Sequence, residues 1–246
     1  MARWSADGRS IVYSSDRIGN FEVHVMNSDG SGKRQLTAHS GFNNSWPSFS
    51  RDGSTIVFSR CSHFLGTCDV MLMRSDGSNI RTLVGGYWHR NQTVFSPHGM
   101  QIAFTTDEGG YDALLWTMNA DGTNRKSVTE PQVRFSFATD RSDRSPDGAR
   151  ITFSSLAGGI FTIRPDGKNL RALISTDSIF GTYSPDGRKM VLLGPAGLSI
   201  MNADGSWAHS DPGYPGRGGP LRLGGSEMRL SPIVSIEEFE AGEEVL

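Results

Sequence analysis

YSPDGRKMVLLGPAGLSIMNADG, residues 183–205, carries two Asp-Gly pairs around two short apolar runs, and the runs are parted by Pro-Ala-Gly. Whether this stretch is one hairpin or one copy of something larger decides the fold, because a fixed period overrides any local reading of secondary structure. It recurs. A first turn ends at Gly8 (SADG), Gly53 (SRDG), Gly99 (SPHG), Gly148 (SPDG) and Gly187 (SPDG), at intervals of 45, 46, 49 and 39 residues. A second turn follows in phase, ending at Gly30 (MNSDG), Gly77 (MRSDG), Gly122 (MNADG), Gly167 (IRPDG) and Gly205 (MNADG), at intervals of 47, 45, 45 and 38.

After each first turn comes IVYS, IVFS, IAFT, ITFS or MVLL, apolar and β-branched runs of strand type. A ring stands just ahead of that turn at Trp4, Phe49, Phe95 and Tyr183, and Arg144 is the exception. Four residues past the second-turn glycine lies a base (Arg34, Arg81, Lys126, Arg171), and two further on an apolar residue (Leu36, Leu83, Val128, Leu173). Each unit therefore reads as four strands, a to d. In Ser-Pro-Asp-Gly, proline presets φ, aspartate bonds its own backbone and glycine takes the positive φ that closes a tight hairpin. The a–b and c–d turns thus share one edge of the unit, and the b–c and d–a connections emerge together on the other.

A period near 45 residues with four antiparallel strands is the signature of a β-propeller blade, so the fold class is all-β. The pattern aromatic-Ser-Pro-Asp-Gly-x-x-Ile-x-Phe-Ser, followed by Ile/Met-Asn-x-Asp-Gly-x-x-x-Arg-x-Leu-Thr, resembles the WD40-like (PD40) repeat of TolB-type propellers. The resemblance runs in five copies from Trp4 to Gly205, with His98 replacing a turn aspartate and Arg144 replacing a ring. It implies a six-bladed ring to which these five belong, with a closed five-bladed ring as the alternative, a scaffold that binds a protein or peptide partner, and a periplasmic or extracellular location. The constant six-residue offset from second turn to strand d in the copies is expected to set the blades radially with strand a innermost.

Residues 1–211 are expected to form the propeller. Residues 212–246 are Gly/Pro-rich and then acidic, a linker and tail with one strand-like run at 228–236 that could serve as a degenerate closing strand. Residues 1–10 lack a basic-then-apolar leader pattern, which leaves a cytoplasmic location as the alternative. No apolar run is long enough to span a bilayer, and a net charge of −2 gives no signal for nucleic acid.

No G-x-S-x-G, H-E-x-x-H, P-loop or C-x-x-C pattern occurs, so a non-catalytic scaffold without cofactor is expected. The alternative is the propeller of an enzyme, either accessory to a serine peptidase or with its own lyase or hydrolase site in the channel. Asp140, Asp143 and Asp147 lack calcium-loop spacing, and no metal site is expected. The unlike connections at 16–20, 62–67, 107–111, 39–46, 85–91 and 130–143 form the recognition edge, since rigid scaffolds present variable loops for binding. Phe42, Trp46, Tyr87, Trp88, His89 and Arg90 are the candidate contacts there, aromatic and arginine side chains being the usual anchors. Cys61 and Cys68 flank the b–c connection of the second unit, where a hairpin brings them opposite each other. They read either as a disulfide or as two free thiols.

Overall fold

The computed structural model describes residues 2–38, 41–88, 92–106, 114–129, 143–154, 159–174, 180–184, 186–194, 197–206, 222–223 and 226–227. Every regular element among them is a strand. Blade one is β1 (Ala2–Trp4), β2 (Ser10–Ser15), β3 (Glu22–Asn27) and β4 (Arg34–Gln35). Blade two is β5 (Phe42–Phe49), β6 (Thr55–Ser62), β7 (Cys68–Arg74) and β8 (Arg81–Trp88). Blade three is β9 (Thr93–Phe95), β10 (Gln101–Thr106), β11 (Leu114–Asn119) and β12 (Lys126–Ser127). Blade four is β13 (Asp143–Arg144), β14 (Ile151–Ser154), β15 (Ile160–Ile163) and β16 (Arg171–Ile174). Blade five shows β17 (Phe180–Tyr183), β18 (Lys189–Gly194) and β19 (Gly197–Asn202), and a small hairpin pairs β20 (Arg222–Leu223) with β21 (Ser226–Glu227). Within each blade the strands pair antiparallel in chain order. The expected strand at 228–236 lies outside the described residues, as does most of the proposed tail.

The turns close as their residues dictate. In the first turn of blade two, Gly53 N donates to Ser50 O, the Ser50 hydroxyl donates to Asp52 at 2.6 Å, and Asp52 accepts from Ser54 N at 3.1 Å. These donors, Ser50 first, hold the Asp52 carboxyl down at about 2. Blade three closes without the aspartate, through Gly99 N to Ser96 O and Gln101 N to the Ser96 hydroxyl, and His98 instead reaches the Asp147 carbonyl of the next blade at 3.2 Å. The second turns hold a further left-handed residue, two places after the glycine: Gly32, Asn79, Asn124 and Asn169 all have φ between 52° and 63°. Asparagine and glycine tolerate that region where other side chains do not. At Gly167, φ is +85° and a Cβ would stand 2.8 Å from the Val128 carbonyl of the preceding blade, so a side chain is barred there twice over.

The core lies between blades, and its register is constant. One face of each blade presents a cross-strand row to the next: Arg3, Val12, Val25, Arg34 in blade one and Ser48, Val57, Leu72, Arg81 in blade two. The facing rows are Phe49, Ile56, Met73 and Phe95, Ile102, Met118. Burial follows: Val12, Val23, Ile56 and Phe58 close the first seam, and Val57, Val70, Ile102 and Phe104 the second. Each fully buried side chain of this size contributes about 1.5–3 kcal/mol. The a strands of successive blades are neighbours, with Phe95 N donating to the Ser48 hydroxyl and Tyr183 N to Asp143 Oδ2, which makes strand a innermost.

Two departures from the sequence reading concern blade two. Its strands run longer than those of the other blades, so Phe42 to Trp46 belong to β5 and Gly85 to Trp88 to β8, where connections were expected. The chain favours strand here because the Cys61–Cys68 pair and Cys68–Trp88 pair continue the ladder past the point where other blades end. A sixth blade is not among the described residues.

Candidate recognition edge and channel

Among the described residues, the extended end of blade two exposes Phe42, Phe64 and Leu65. Between β6 and β7, Ser62 N donates to Thr67 O and Gly66 N to Ser62 O, while the Ser62 hydroxyl accepts from Phe64 N and Leu65 N at 3.3 and 3.2 Å. This small hydrogen-bonded loop holds Phe64 and Leu65 out at 89 % and 72 % exposure. Cys61 and Cys68, directly opposed on the ladder, are joined by a disulfide at the loop's base. The Phe64 ring leans over Gly41, whose carbonyl accepts from His63 N. Ile18 and Phe21 of blade one are exposed on the same edge, and Phe21 is tied to blade two by its N–H to Asn43 and by its carbonyl to Asn44 N.

Behind this surface runs a buried polar network. Glu22 accepts from the Thr37 hydroxyl and from Asn44 Nδ2 (2.9 Å), and Asn44 Oδ1 accepts from Arg60 Nε at 3.0 Å. The Arg60 guanidinium lies over the rings of Phe42 and Phe58, 5.9 and 5.8 Å from their centroids. Burial lowers its pKa, an effect that Asp69 and Glu22 only partly offset. Cation–ring contacts of this kind contribute about 0.5–2 kcal/mol and fix the Phe42 ring at the rim.

Trp46 stands in a bulge of β5, half-buried, with φ +57° and its carbonyl accepting from the Thr93 hydroxyl of blade three. A bulky residue in the left-handed region is strained, and bulges re-aim side chains at functional edges. Of the other candidate contacts, Tyr87 and Trp88 close β8, and His89 and Arg90 lie outside the described residues. Phe64, Leu65, Ile18 and Phe21 were not singled out from sequence; apolar residues inside otherwise polar b–c connections are the signal that marks them.

In the channel, Arg3 of blade one donates to Asp143 of blade four at 3.1 Å, joining the innermost strands of two non-adjacent blades. Asp143 also accepts from the Thr182 hydroxyl at 2.8 Å, and Asp147 is a turn residue bonded to Ser145. Neither carboxylate is placed as a metal ligand by these bonds. Among the histidines, His24 stacks on Tyr13 and burial lowers its pKa, whereas His63 is an exposed loop residue.

A radial set of antiparallel blades, with the tight turns on one edge and the longer connections on the other, defines a β-propeller. The family model of the TolB beta propeller domain (PD40) matches residues 1–140, and the chain belongs to that family. It is 31 % identical over 135 residues to the uncharacterized protein Atu1656 of Agrobacterium fabrum, covering 51 % of this chain and 44 % of that one. The chain thus spans less than half of this curated relative. Among solved structures it resembles TolB from Acinetobacter baumannii, with a TM-score of 0.70 at 22 % identity over 84 % of this chain and 52 % of that one. It also resembles a putative TolB from Agrobacterium tumefaciens, with a TM-score of 0.65 at 21 % identity over 83 % of this chain and 77 % of that one. A chain of the nidogen/laminin complex gives a TM-score of 0.70 at 12 % identity, covering 85 % of this chain and 77 % of that one.

Proposed function

We propose that this propeller is a non-catalytic scaffold that binds a protein or peptide partner on the edge formed by the b–c and d–a connections, centred on blades one and two. The observation that carries this reading is the exposed cluster of Phe42, Phe64, Leu65, Ile18 and Phe21 on one edge, with Phe64 and Leu65 held out on a cystine-closed loop. A loop that spends hydrogen bonds and a disulfide to hold two apolar side chains in water is preorganised for contact, which lowers the ordering cost of binding. Trp46, at its strained bulge on the innermost strand, extends the surface toward the channel mouth. Tyr87 and Trp88, which end β8, and His89 and Arg90 after it belong to the same proposed contact set. Glu22 is spent on Thr37 and Asn44 as support for this edge. A propeller of like fold occurs in the nidogen/laminin complex, which accords with a binding role.

The disulfide and the family together support an exported, periplasmic protein, since cystines persist in oxidising compartments. No described helix is long and apolar enough to cross a membrane. The test is paired substitution: Phe64→Ser with Leu65→Ser removes the anchors from an exposed loop, so melting temperature stays within about a degree while partner capture falls at least tenfold, as hot-spot truncations of about 2 kcal/mol require. Capture that survives the double change, with the fold intact, refutes the reading.

A further inference from the structure

Arg144 occupies the position held by Phe49, Phe95 and Tyr183 in blades two, three and five, paired with Ile151 and facing blade three. It is only 5 % exposed. Its Nε and Nη2 meet no hydrogen-bond partner among the described residues, and burial pushes its pKa down to about 10, with no carboxylate among the described residues offsetting that loss. The adjacent Asp143 does not serve it, being engaged by Arg3, Thr182 and the Tyr183 amide.

The two orphaned nitrogens are not an arbitrary pair. Nε and Nη2 share the guanidinium edge that presents two parallel N–H groups, the fork that grips both oxygens of a carboxylate. The facing row of blade three is Val94, Ala103, Thr117 and Lys126. Ala103 stands where the other seams have Val12, Val57 and Thr152, so this row is the smallest at that level; in the next seam the Thr152 hydroxyl reaches Tyr183. Thr117 Oγ1, on the same row, is also buried without a partner among the described residues. A desolvated cation with an unmet fork is among the most costly groups a core can hold, and a counter-charge relieves that cost.

We propose that the seam between blades three and four is a carboxylate-binding site, with the Nε/Nη2 edge of Arg144 as its fork and the Thr117 hydroxyl on the facing row. This site is separate from the recognition edge and does not rest on it. The carboxylate belongs either to a free small acid or to an acidic side chain of a polypeptide reaching in from the channel.

The probes are acetate and the acetylated, amidated peptide Gly-Asp-Gly, each titrated into the full chain with melting temperature as readout and chloride at matched ionic strength as baseline. The wild type is expected to show a saturable rise above the chloride baseline. Arg144→Lys, which keeps the charge and loses the fork, is expected to weaken the apparent affinity at least tenfold, and Arg144→Gln to abolish the response. Circular dichroism checks the fold, and Arg144→Lys decides alone if Arg144→Gln does not fold. Tighter binding of the peptide than of acetate marks a polypeptide source, and acetate binding equal to or tighter than the peptide's marks a free acid. The proposal is overturned if neither probe acts on the wild type, or if wild type and Arg144→Lys respond alike. A response that appears only after Glu130→Gln or Asp140→Asn overturns it too, because the chain then supplies its own carboxylate.

Discussion

Arg144→Phe restores to blade four the ring that blades two and three carry at Phe49 and Phe95, and it is expected to stabilise the protein. The site is already buried, so the ring gains about 2 kcal/mol from removal of apolar surface from water. Loss of the unmet guanidinium edge adds at least about 1 kcal/mol, the smaller end of what an unsatisfied buried polar group costs. Against this, an imperfect fit can cost about 1 kcal/mol, the low end for overpacking, since the facing row carries the small Ala103 where other seams carry valine or threonine. The balance is a gain of about 2 kcal/mol, or about 4–8 °C in melting temperature for a chain of this size. Urea unfolding followed by circular dichroism is the assay, with an unchanged m-value showing that stability has changed and not the surface exposed on unfolding. A variant that folds but is about 1 kcal/mol less stable than wild type refutes the reasoning, because Arg144 would then be paid back by interactions within the seam.

Trp46→Gly is expected to cost less stability than Trp46→Ala, reversing the usual order, because glycine adopts φ +57° without strain and alanine does not; thermal melts of both variants check it. Replacing Cys61 and Cys68 together by serine is expected to cost up to about 2–3 kcal/mol, the value for so short a closed loop. Hydrogen exchange should show the loss concentrated at the extended end of blade two. Acid should loosen the tight-turn edge. Asp7, Asp29, Asp52, Asp76, Asp121, Asp147, Asp186 and Asp204 all accept turn hydrogen bonds that lower their pKa values, foremost from the side chain of a neighbouring serine or threonine. A folded-state pKa below the unfolded value of about 3.9 gives stability that is complete above that pH and lost on the way down. The urea midpoint should therefore hold steady above about pH 5 and fall as pH drops toward about 2, where Asp52 titrates. A midpoint that does not change over that range contradicts the turn chemistry.

The fold was legible because its determinants are local and repeated. Ser-x-Asp-Gly turns, the ring before them and the apolar strand after them recur from blade to blade with only His98 and Arg144 breaking the turn and ring positions, and each element needs only its own few residues to form. The left-handed position at Gly32, Asn79, Asn124 and Asn169 is marked in the sequence by a glycine or asparagine two places beyond the second turn of the first four blades. The proposed recognition edge was less legible. Its general side followed from turn geometry, but Phe64 and Leu65 depend on the length of β6 and β7, which no local pattern sets. The network of Glu22, Thr37, Asn44 and Arg60 joins residues on different blades and becomes visible only once the seam register is known. Arg144 stood out from sequence as a missing ring; that it is buried with its carboxylate fork unmet required the structure.

The most direct test of the proposed binding role is site-specific photo-crosslinking in the source cells, with a benzophenone amino acid placed at Phe64 on the recognition edge or at Met100 on the opposite, tight-turn edge. Both side chains are exposed, at 89 % and 70 %, so the comparison isolates the edge rather than accessibility. The expected result is a discrete protein adduct from position 64 and none from position 100. An adduct from position 100 alone, or equal labelling at both, contradicts it.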